Sequence, residues 1–243
     1  MYEHTFNPDE LLVSYQGIVD YPTSWKIQKS LSDIRSSCLI SDCLMIHQHP
    51  HTYTIGKRGT ISDILLPLED LLAKGIHAYS IERGGGTTYH GPGQIMVYPI
   101  MDTRPYGGPA KYVGKIEDTI LLTLSEFGLI GSRLKGSPGV WIGERKIASI
   151  GLKITKGITT HGFSININND LSYFDHIVTC GVANLVVTSL EHETRQNLDI
   201  SEVASAIIRS FCYVFQKDLK NTPEQYFLGL DTNQTITPLA LVV

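Results

Sequence analysis

One stretch of the chain constrains the architecture more than any other, and it reads Arg83-Gly84-Gly85-Gly86-Thr87-Thr88-Tyr89-His90-Gly91-Pro92-Gly93-Gln94. Three consecutive glycines and a later Gly-Pro-Gly flank a β-prone Thr-Thr-Tyr-His, so the backbone must turn sharply on both sides of a short strand. The exposed amides of such a run can line a groove for an oxygen or an extended chain. A glycine-rich hairpin without a ligand explains the same residues. The stretch is not a phosphate-binding motif, because it contains neither a GxGxxG that opens a helix nor a GK[ST].

Hydrophobic patterns on both sides of this stretch predict strands and helices. Strands are expected at residues 43–46, 78–81, 94–100, 140–142, 146–154 and 162–167. Helices are expected at residues 21–34, 68–74, 113–127 and 202–215. Since no linker, repeat or low-complexity tract interrupts this order, the sequence predicts one α+β domain over residues 1–243, a mixed sheet with flanking helices.

The composition is that of a globular protein. The chain has 243 residues, of which 42% are hydrophobic and 18% charged, so it is long enough for a sizeable core. No apolar run is long enough to cross a bilayer, and residues 1–10 are polar and acidic rather than a targeting sequence. We therefore expect a soluble, cytoplasmic protein without a membrane partner. Its four cysteines fit no metal spacing and are expected to be reduced thiols.

Positive charge is concentrated in one segment. Residues 133–156 contain six basic residues and one acidic residue, although the whole chain has a formal net charge of −4. Such a segment predicts a local basic face that suits an acidic partner, although scattered lysines more commonly form a solvated surface. A nucleic-acid partner is not expected, because the overall pI of about 6.1 gives no global basic character.

Three alternating histidines, His47, His49 and His51, follow the predicted strand at residues 43–46. Residues two apart in a strand share a face, which invites interpretation as a metal site. However, Pro50 interrupts the strand and no carboxylate or cysteine completes the ligand set. The sequence therefore predicts no bound metal.

Two short segments further along the chain carry reactive side chains. Lys146 stands beside the apolar and small run Ile147-Ala148-Ser149, which reads as a buried strand, so its ammonium could be desolvated or near a ligand. Cys180 precedes Gly181, where a turn could expose the sulfur. A thiolate at neutral pH needs a nearby cation or base, and a lysine can serve. A lone Cys-Gly is more commonly structural, so these residues alone leave the question open.

Taken together, the motifs resemble the lipoyl(octanoyl) transferase family, the acyl-carrier-protein-dependent protein N-octanoyltransferases of lipoate biosynthesis. The matching segments are His49-Pro50, Tyr53-Thr54-Ile55-Gly56, residues 83–94, Gly139-Val140-Trp141-Ile142, Lys146-Ile147-Ala148-Ser149-Ile150-Gly151, Thr160-His161-Gly162-Phe163 and Cys180-Gly181. They stand in the family's order, and the resemblance covers most of the chain, from about residue 49 to residue 190. Gly86, Thr87 and Thr179 depart from common family residues, which affects loop shape more than chemistry.

The resemblance implies the fold of biotin and lipoate protein ligases and a two-step acyl transfer. Cys180 would attack the thioester of octanoyl-acyl carrier protein, and a lysine of an apo lipoyl domain would then attack the acyl-enzyme. Acceptors would be the lipoyl domains of 2-oxo acid dehydrogenases or the glycine cleavage H protein. Lys146 would favour the thiolate and exchange protons with the leaving thiol and the incoming amine. No ATP or other cofactor is implied, because the acyl group arrives already activated.

The resemblance also implies which residues line the acyl site. Backbone amides would steady the developing oxyanion, and apolar walls would bury the chain. The expected substrate-binding residues are Arg83, Gly84, Gly85, Gly86, Thr87, Thr88, Tyr89, His90, Ser149, Ile150, Gly151, Gly162, Phe163 and Ser164. His90 and His161 are interpreted as residues that shape the site rather than as catalytic bases.

Two other functions are compatible with parts of the sequence. An ATP-dependent lipoate or biotin protein ligase would explain Lys146 equally well but leaves Cys180 unexplained. A carrier-protein binding module that has lost catalysis is disfavoured, because both Lys146 and Cys180 are present. Covalent acylation at Cys180 distinguishes these three hypotheses, because neither a ligase nor a binding module should form that adduct.

Overall fold

The structure, a computed structural model, describes residues 6–179 and 185–221. The strands of this part are β1 (Glu10–Ile18), β2 (Asp42–Gln48), β3 (Thr52–Ile55), β4 (His77–Ser80), β5 (Thr87–His90), β6 (Gln94–Ile100), β7 (Ser132–Leu134), β8 (Ser137–Ile142), β9 (Arg145–Thr155), β10 (Ile158–Asn166) and β11 (Asp218–Asn221). The α-helices are α1 (Tyr21–Ser36), α2 (Leu68–Ala73), α3 (Pro109–Glu126), α4 (Leu190–Thr194) and α5 (Ile200–Phe215).

An eight-stranded mixed sheet forms the centre of the described part, in the order β11-β1-β2-β6-β10-β9-β8-β7. Strands β11, β1 and β2 are parallel, and every later neighbour in that order is antiparallel. A second sheet contains three strands in the order β4-β3-β5. The predicted α+β class with a mixed sheet and flanking helices is therefore confirmed.

The two faces of the large sheet are buried by different helices. Side chains such as Leu11 and Val97 pack with α3 and α5 in the largest hydrophobic cluster. Neighbouring positions point to the other face, where Leu12 and Met96 pack with Ile27 of α1. This alternation follows from the two-residue period of a strand. The second face also carries the three-stranded sheet, because β5 and β6 side chains line one cavity there.

Most predicted elements are confirmed with shifted ends. Strand β6 has the predicted bounds, and α3 ends before Gly128, whose φ of +75° suits a residue that terminates a helix. Helix α5 begins two residues earlier than predicted, because the Asp199 side chain accepts a hydrogen bond of 2.8 Å from the Ser201 amide and caps it. Helix α1 continues two residues beyond the predicted end, to Ser36.

Strands β1, β3, β7 and β11 were not predicted. Strand β1 lies between β11 and β2, so Leu11, Leu12 and Val13 are buried on both faces and give no alternating pattern. Strand β3 resumes only two residues after Pro50, where the sequence indicated an interruption. No helix in the described ranges has the length and apolar character needed to span a membrane.

Candidate active site

The glycine-rich loop of residues 83–86 connects β4 to β5 and packs between β3 and β9. The Gly84 amide donates a hydrogen bond of 2.9 Å to the Leu152 carbonyl, which fixes the loop to β9. On the other side, a Cβ on Gly56 would lie 2.5 Å from the Gly85 carbonyl oxygen, so only glycine fits at that approach. Gly85 itself has a φ of +91°. Close approach of backbone to backbone therefore explains the glycines of this loop.

The side chain of Arg83 turns inward from this loop and is bonded to β3. Its Nη2 donates to the Thr54 carbonyl at 2.7 Å and to Thr54 Oγ1 at 2.9 Å, and its Nη1 donates to the Gly84 carbonyl at 3.0 Å. The residue is 7% exposed. A charge at this depth requires several hydrogen bonds, which these acceptors supply.

A cavity lies between the small sheet, α1 and the β6–β10–β9 region of the large sheet. Ten of the predicted substrate-binding residues line it: Arg83, Gly85, Thr88, His90, Ser149, Ile150, Gly151, Gly162, Phe163 and Ser164. The structure thus brings together residues of the glycine-rich stretch, β9 and β10 around one space.

Four of the predicted substrate-binding residues do not line this cavity. Gly84 packs against β9, and Gly86 accepts a backbone hydrogen bond from Gly56. The Thr87 hydroxyl donates to Asp63 Oδ2 at 2.7 Å. Tyr89 alternates with Thr88 and His90 along β5 and therefore points to the opposite face, where it stacks on Tyr173. These four support the site from behind, which corrects their prediction as lining residues.

Three lining residues were not predicted at all. Tyr21 is the first residue of α1, and Met96 and Tyr98 are two apart on β6, so they share a face. The β6 pattern was visible in the sequence as a buried strand. Which of its two faces meets the small sheet depends on tertiary packing, so no local signal identified them.

His90 is held by hydrogen bonds at both ring nitrogens. Gln94 donates through Nε2 to Asn166 Oδ1 at 2.8 Å, so its Oε1 is free to accept from His90 Nδ1 at 2.8 Å. His90 Nε2 then accepts from the Thr54 hydroxyl at 3.1 Å. Burial lowers the pKa of His90 well below its usual range, and the neighbouring His49 and Arg83 lower it further. The ring is therefore neutral and fully engaged, as expected of a residue that shapes the site.

The other histidines of this region are also hydrogen-bonded, His47 and His49 in the core and His51 at a half-buried position. His49 Nε2 lies 2.7 Å from the Tyr98 hydroxyl and its Nδ1 lies 2.6 Å from the Val19 carbonyl oxygen. His47 Nε2 lies 2.8 Å from Ser24 Oγ, and His51 Nδ1 lies 2.7 Å from the Tyr89 hydroxyl. Within residues 6–179 and 185–221, no group of three or more His, Cys, Asp or Glu side chains could hold a metal ion.

Lys146 lies in β9, three residues from Ser149, and is 4% exposed. Its ammonium lies 5.0 Å from the centre of the Trp141 ring. Gly139 faces its stem, because a Cβ there would lie 2.7 Å from Lys146 Cε. The Lys146 amide and carbonyl pair with Val186 and Thr188 at 2.9 Å each, so β9 is flanked by the segment that follows residue 184. The prediction that Lys146 occupies a buried strand is confirmed.

Cys180 and Gly181 lie outside the described residues. The residue before them, Thr179, forms a parallel bridge with Thr87 of the glycine-rich stretch. The amide of Val178 donates to the Asp63 carbonyl at 2.7 Å. The other three cysteines, Cys38, Cys43 and Cys212, are free thiols.

The predicted basic face at residues 133–156 requires correction. Arg133 pairs with Glu117 and Asp118, Arg145 pairs with Glu193, and Lys153 pairs with Glu82. Lys146 is buried, so of the six basic residues only Lys135 and Lys156 are exposed and have no carboxylate partner within residues 6–179 and 185–221. The acidic partners come from other parts of the sequence, which is why counting charge within the segment overestimated the charge of the surface.

Comparisons with known proteins agree on one family. The sequence profile of the lipoyl protein ligase A/B catalytic domain matches residues 20–212. The octanoyltransferase of Roseiflexus sp. (strain RS-1) is 40% identical over 209 residues, covering 84% of this chain and 87% of that protein. The octanoyltransferase of Flavobacterium johnsoniae is 39% identical over 221 residues, covering 84% of this chain and 95% of that protein.

Solved structures show the same fold at much lower identity. A lipoate-protein ligase A bound with ATP has a TM-score of 0.74 and 16% identity, with 92% of each chain covered. The biotin protein ligase of Aquifex aeolicus has a TM-score of 0.51 and 12% identity, covering 86% of this chain and 70% of that one. At such identities the likeness concerns the fold alone.

Proposed function

The chain belongs to the lipoyl protein ligase A/B catalytic domain family and groups there with the octanoyltransferases, and on this premise we propose that it transfers an octanoyl group through Cys180. The donor is octanoyl-acyl carrier protein and the acceptor is a lysine of an apo lipoyl domain. One observation supports this proposal most directly. The cavity runs along β9 and β10 from Ser149, which lies three residues from the buried Lys146.

In the first step, the Cys180 thiolate attacks the thioester carbonyl carbon of the donor. A bond forms between Cys180 Sγ and that carbon, and the bond to the carrier thiol breaks. The leaving thiolate takes a proton from Lys146 Nζ, so the products are an octanoyl-thioester enzyme and a free carrier thiol. Trp141 and Gly139 hold the lysine side chain from two sides, which supports a fixed position for this proton.

In the second step, the ε-amine of the acceptor lysine attacks the same carbonyl carbon. An amide bond forms, the bond to Cys180 Sγ breaks, and the proton lost by the amine goes to Lys146 Nζ. Together, the two steps restore the Cys180 thiolate and the protonated Lys146, and they consume no ATP. The bridge between Thr179 and Thr87 of the glycine-rich stretch supports the involvement of the residue that follows Thr179 in the sequence.

The donor and acceptor proteins are proposed first as general classes and then as particular proteins. Acyl-carrier and lipoyl-domain proteins are the general partner classes of octanoyltransferases. As the finer proposal, the acceptors are lipoyl domains of 2-oxo acid dehydrogenases or the glycine cleavage H protein. The basic segment gives little support to electrostatic docking, because its charges are largely paired. The cytoplasmic location and the single domain over residues 1–243 stay predictions.

An ATP-dependent ligase is the second candidate on this fold. The ligase bound with ATP shares the fold but is only 16% identical, whereas the octanoyltransferase of Roseiflexus sp. is 40% identical. The sequence relatives therefore favour transfer from an activated donor.

The deciding measurement is the intact mass of the protein after incubation with octanoyl-acyl carrier protein without ATP. We expect a single octanoyl adduct in the parent protein and none in Cys180→Ser. Lys146→Ala should form the adduct at least about 100-fold more slowly, because general acid–base catalysis of this kind contributes roughly 10²–10⁴-fold.

The matched control is Cys38→Ser, which removes an exposed thiol. It should acylate like the parent protein. An adduct that persists in Cys180→Ser, or one that disappears in Cys38→Ser, would contradict the proposed nucleophile. ATP consumption that depends on free octanoate, with no adduct, would instead support the ligase.

A further inference from the structure

A second concave region lies directly behind the acyl cavity, and one residue separates the two. This region, here called the outer groove, is open to solvent and is lined by Trp25, Lys29, Glu82 and Lys153 among others. Among the described residues, His161 alone lines both the cavity and the outer groove. The imidazole therefore acts as a partition between an apolar chamber and a charged groove.

The conformation of His161 is unusual for a residue inside a strand. Its φ is +58°, in the left-handed region that costs a residue with a Cβ strain energy. The side chain is 2% exposed, and its Nε2 has no hydrogen-bond partner among the described residues. A strained backbone and an unpaired buried nitrogen both reduce stability, so the position of this side chain calls for a functional explanation.

Contacts from α1 hold both the backbone and the ring of His161 in position. The His161 amide donates to Gln28 Oε1 at 2.8 Å, and the Tyr21 hydroxyl lies 3.4 Å from His161 Nδ1. The Trp25 ring lies behind, with its centre 6.3 Å from that of the imidazole. The partition is therefore built from two elements that are fixed relative to each other.

The distance along the sheet matches a medium-length chain. In the β9–β10 register, Ser149 lies opposite Ser164 and Leu152 lies opposite His161. Three residues of strand span about 10 Å. The seven carbon–carbon bonds of an octanoyl group, at about 1.5 Å each, extend no further than about 10 Å. If the carbonyl lies at the Lys146 end, as the proposed function requires, the last carbon reaches His161.

We propose that His161, positioned by Tyr21 and Gln28, is the end wall of the acyl chamber and sets the upper limit on chain length near eight carbons. This inference rests on the proposed function and specifies its substrate. A longer chain would have to displace the imidazole and enter a groove that carries Lys29, Lys153 and Glu82. Removing the ring joins the chamber to the outer groove and gives the extra methylenes a path.

The test measures kcat/KM for acyl-carrier-protein donors with 8, 10, 12 and 14 carbons. The variants are His161→Gly and His161→Asn, because both residue types accept a left-handed φ and neither fills the space of an imidazole. Each buried methylene is worth about fourfold in affinity, so admitting two more is worth about fifteenfold. We expect the ratio of decanoyl to octanoyl transfer to rise at least tenfold in both variants.

The control is Ser32→Ala, which alters the outer groove without touching the chamber. It should keep the chain-length profile of the parent protein. A purely structural role for His161 would lower transfer of all chain lengths equally, and that unchanged ratio in a folded variant would overturn the proposal. A parent protein that transfers no acyl group at all would instead refute the proposed function.

Discussion

Gly162 shows how closely the two central strands of the large sheet approach each other at the acyl cavity. A Cβ at this position would lie 1.9 Å from the Val97 carbonyl oxygen and 2.9 Å from Pro99 Cδ. Both neighbours belong to β6 and cannot move without breaking its pairing with β10. Glycine at 162 is therefore required by packing, and it also leaves bare backbone facing the cavity.

Gly162→Ala is expected to destabilise the protein by about 3 kcal/mol, at the upper end of overpacking effects, because the clash is with backbone. Gly114→Ala is the matched control, since Gly114 lies in α3 and a Cβ there meets no atom within 4 Å. That change should stabilise the protein by about 0.5–1 kcal/mol, as alanine does in helices. Urea unfolding of the three proteins measures both effects. Equal stabilities of the two variants would refute this account.

The sequence predicted the site residues that lie within a recognisable motif. It missed the site residues that reach the cavity only through tertiary packing. Arg83 and His90 were found because they stand beside glycines in a distinctive order. Tyr21, Met96 and Tyr98 reach the cavity only because α1 and β6 meet the small sheet on one face. That face is decided by long-range packing, which no local pattern contains.

The turn before α2 connects three parts of the site. Residues Ile61–Asp63 form a 3₁₀ turn, and Asp63 Oδ2 accepts from the Thr60 amide at 2.9 Å and from the Thr87 hydroxyl at 2.7 Å. The backbone carbonyl of Asp63 accepts a hydrogen bond from the amide of Val178, which lies two residues before Cys180. Burial raises the pKa of Asp63, but the hydrogen bonds from Thr60 and Thr87 outweigh it and bring the pKa below its usual value. Through its carboxylate and its backbone carbonyl together, Asp63 thus links β5 to the segment that leads to Cys180.

Asp63→Ala is expected to slow acylation by about 10- to 100-fold, because small displacements of reacting groups cost that much. The free energy of unfolding should change only by about 1 kcal/mol, since the lost bonds are near the surface. Single-turnover mass spectrometry and thermal melting separate the two effects. Ser62→Ala, in the same turn, should acylate at the parental rate. An Asp63→Ala protein that acylates normally would show that this link is unimportant.

Elements with an amphipathic or capped sequence were predicted well, and elements defined by their partners were not. Helix α3 shows apolar residues at helical spacing and a terminating Gly128, so both its type and its end were predictable. Strand β11 has only four residues and exists through its parallel pairing with β1, which comes from the other end of the sequence. Its formation could not be predicted from local preference.

Several buried histidines are neutral in the folded protein. Burial lowers the pKa of His49 to about 4 and that of His161 to about 3, and it lowers those of His47 and His90 well below the usual range. Arg83 adds to the effect at His161. In the unfolded chain these residues titrate near pH 6.5, so acid favours unfolding.

The free energy of unfolding should therefore fall as the pH drops below about 6.5, and continue to fall towards pH 4. Between those values the unfolded state binds more protons, and each buried histidine contributes up to about 1.4 kcal/mol per pH unit. Urea unfolding between pH 7.5 and pH 5 measures the slope. His49→Gln should reduce the slope by the equivalent of about one bound proton. His192→Gln, at an exposed residue, should leave the slope unchanged. A flat profile above pH 5 would contradict the neutral assignment.

The strand order of the large sheet also governs when the protein acquires its chamber during folding. Strands β9 and β10 pair through a short turn near Thr155 and Ile158, so this hairpin can form early. The pairing of Val97 with Phe163 joins strands far apart in the chain, and closing such a long loop is slow. Met96 and His161 line the same cavity only after that step. A nascent chain therefore gains chain-length selection with a long-range contact rather than with its motifs.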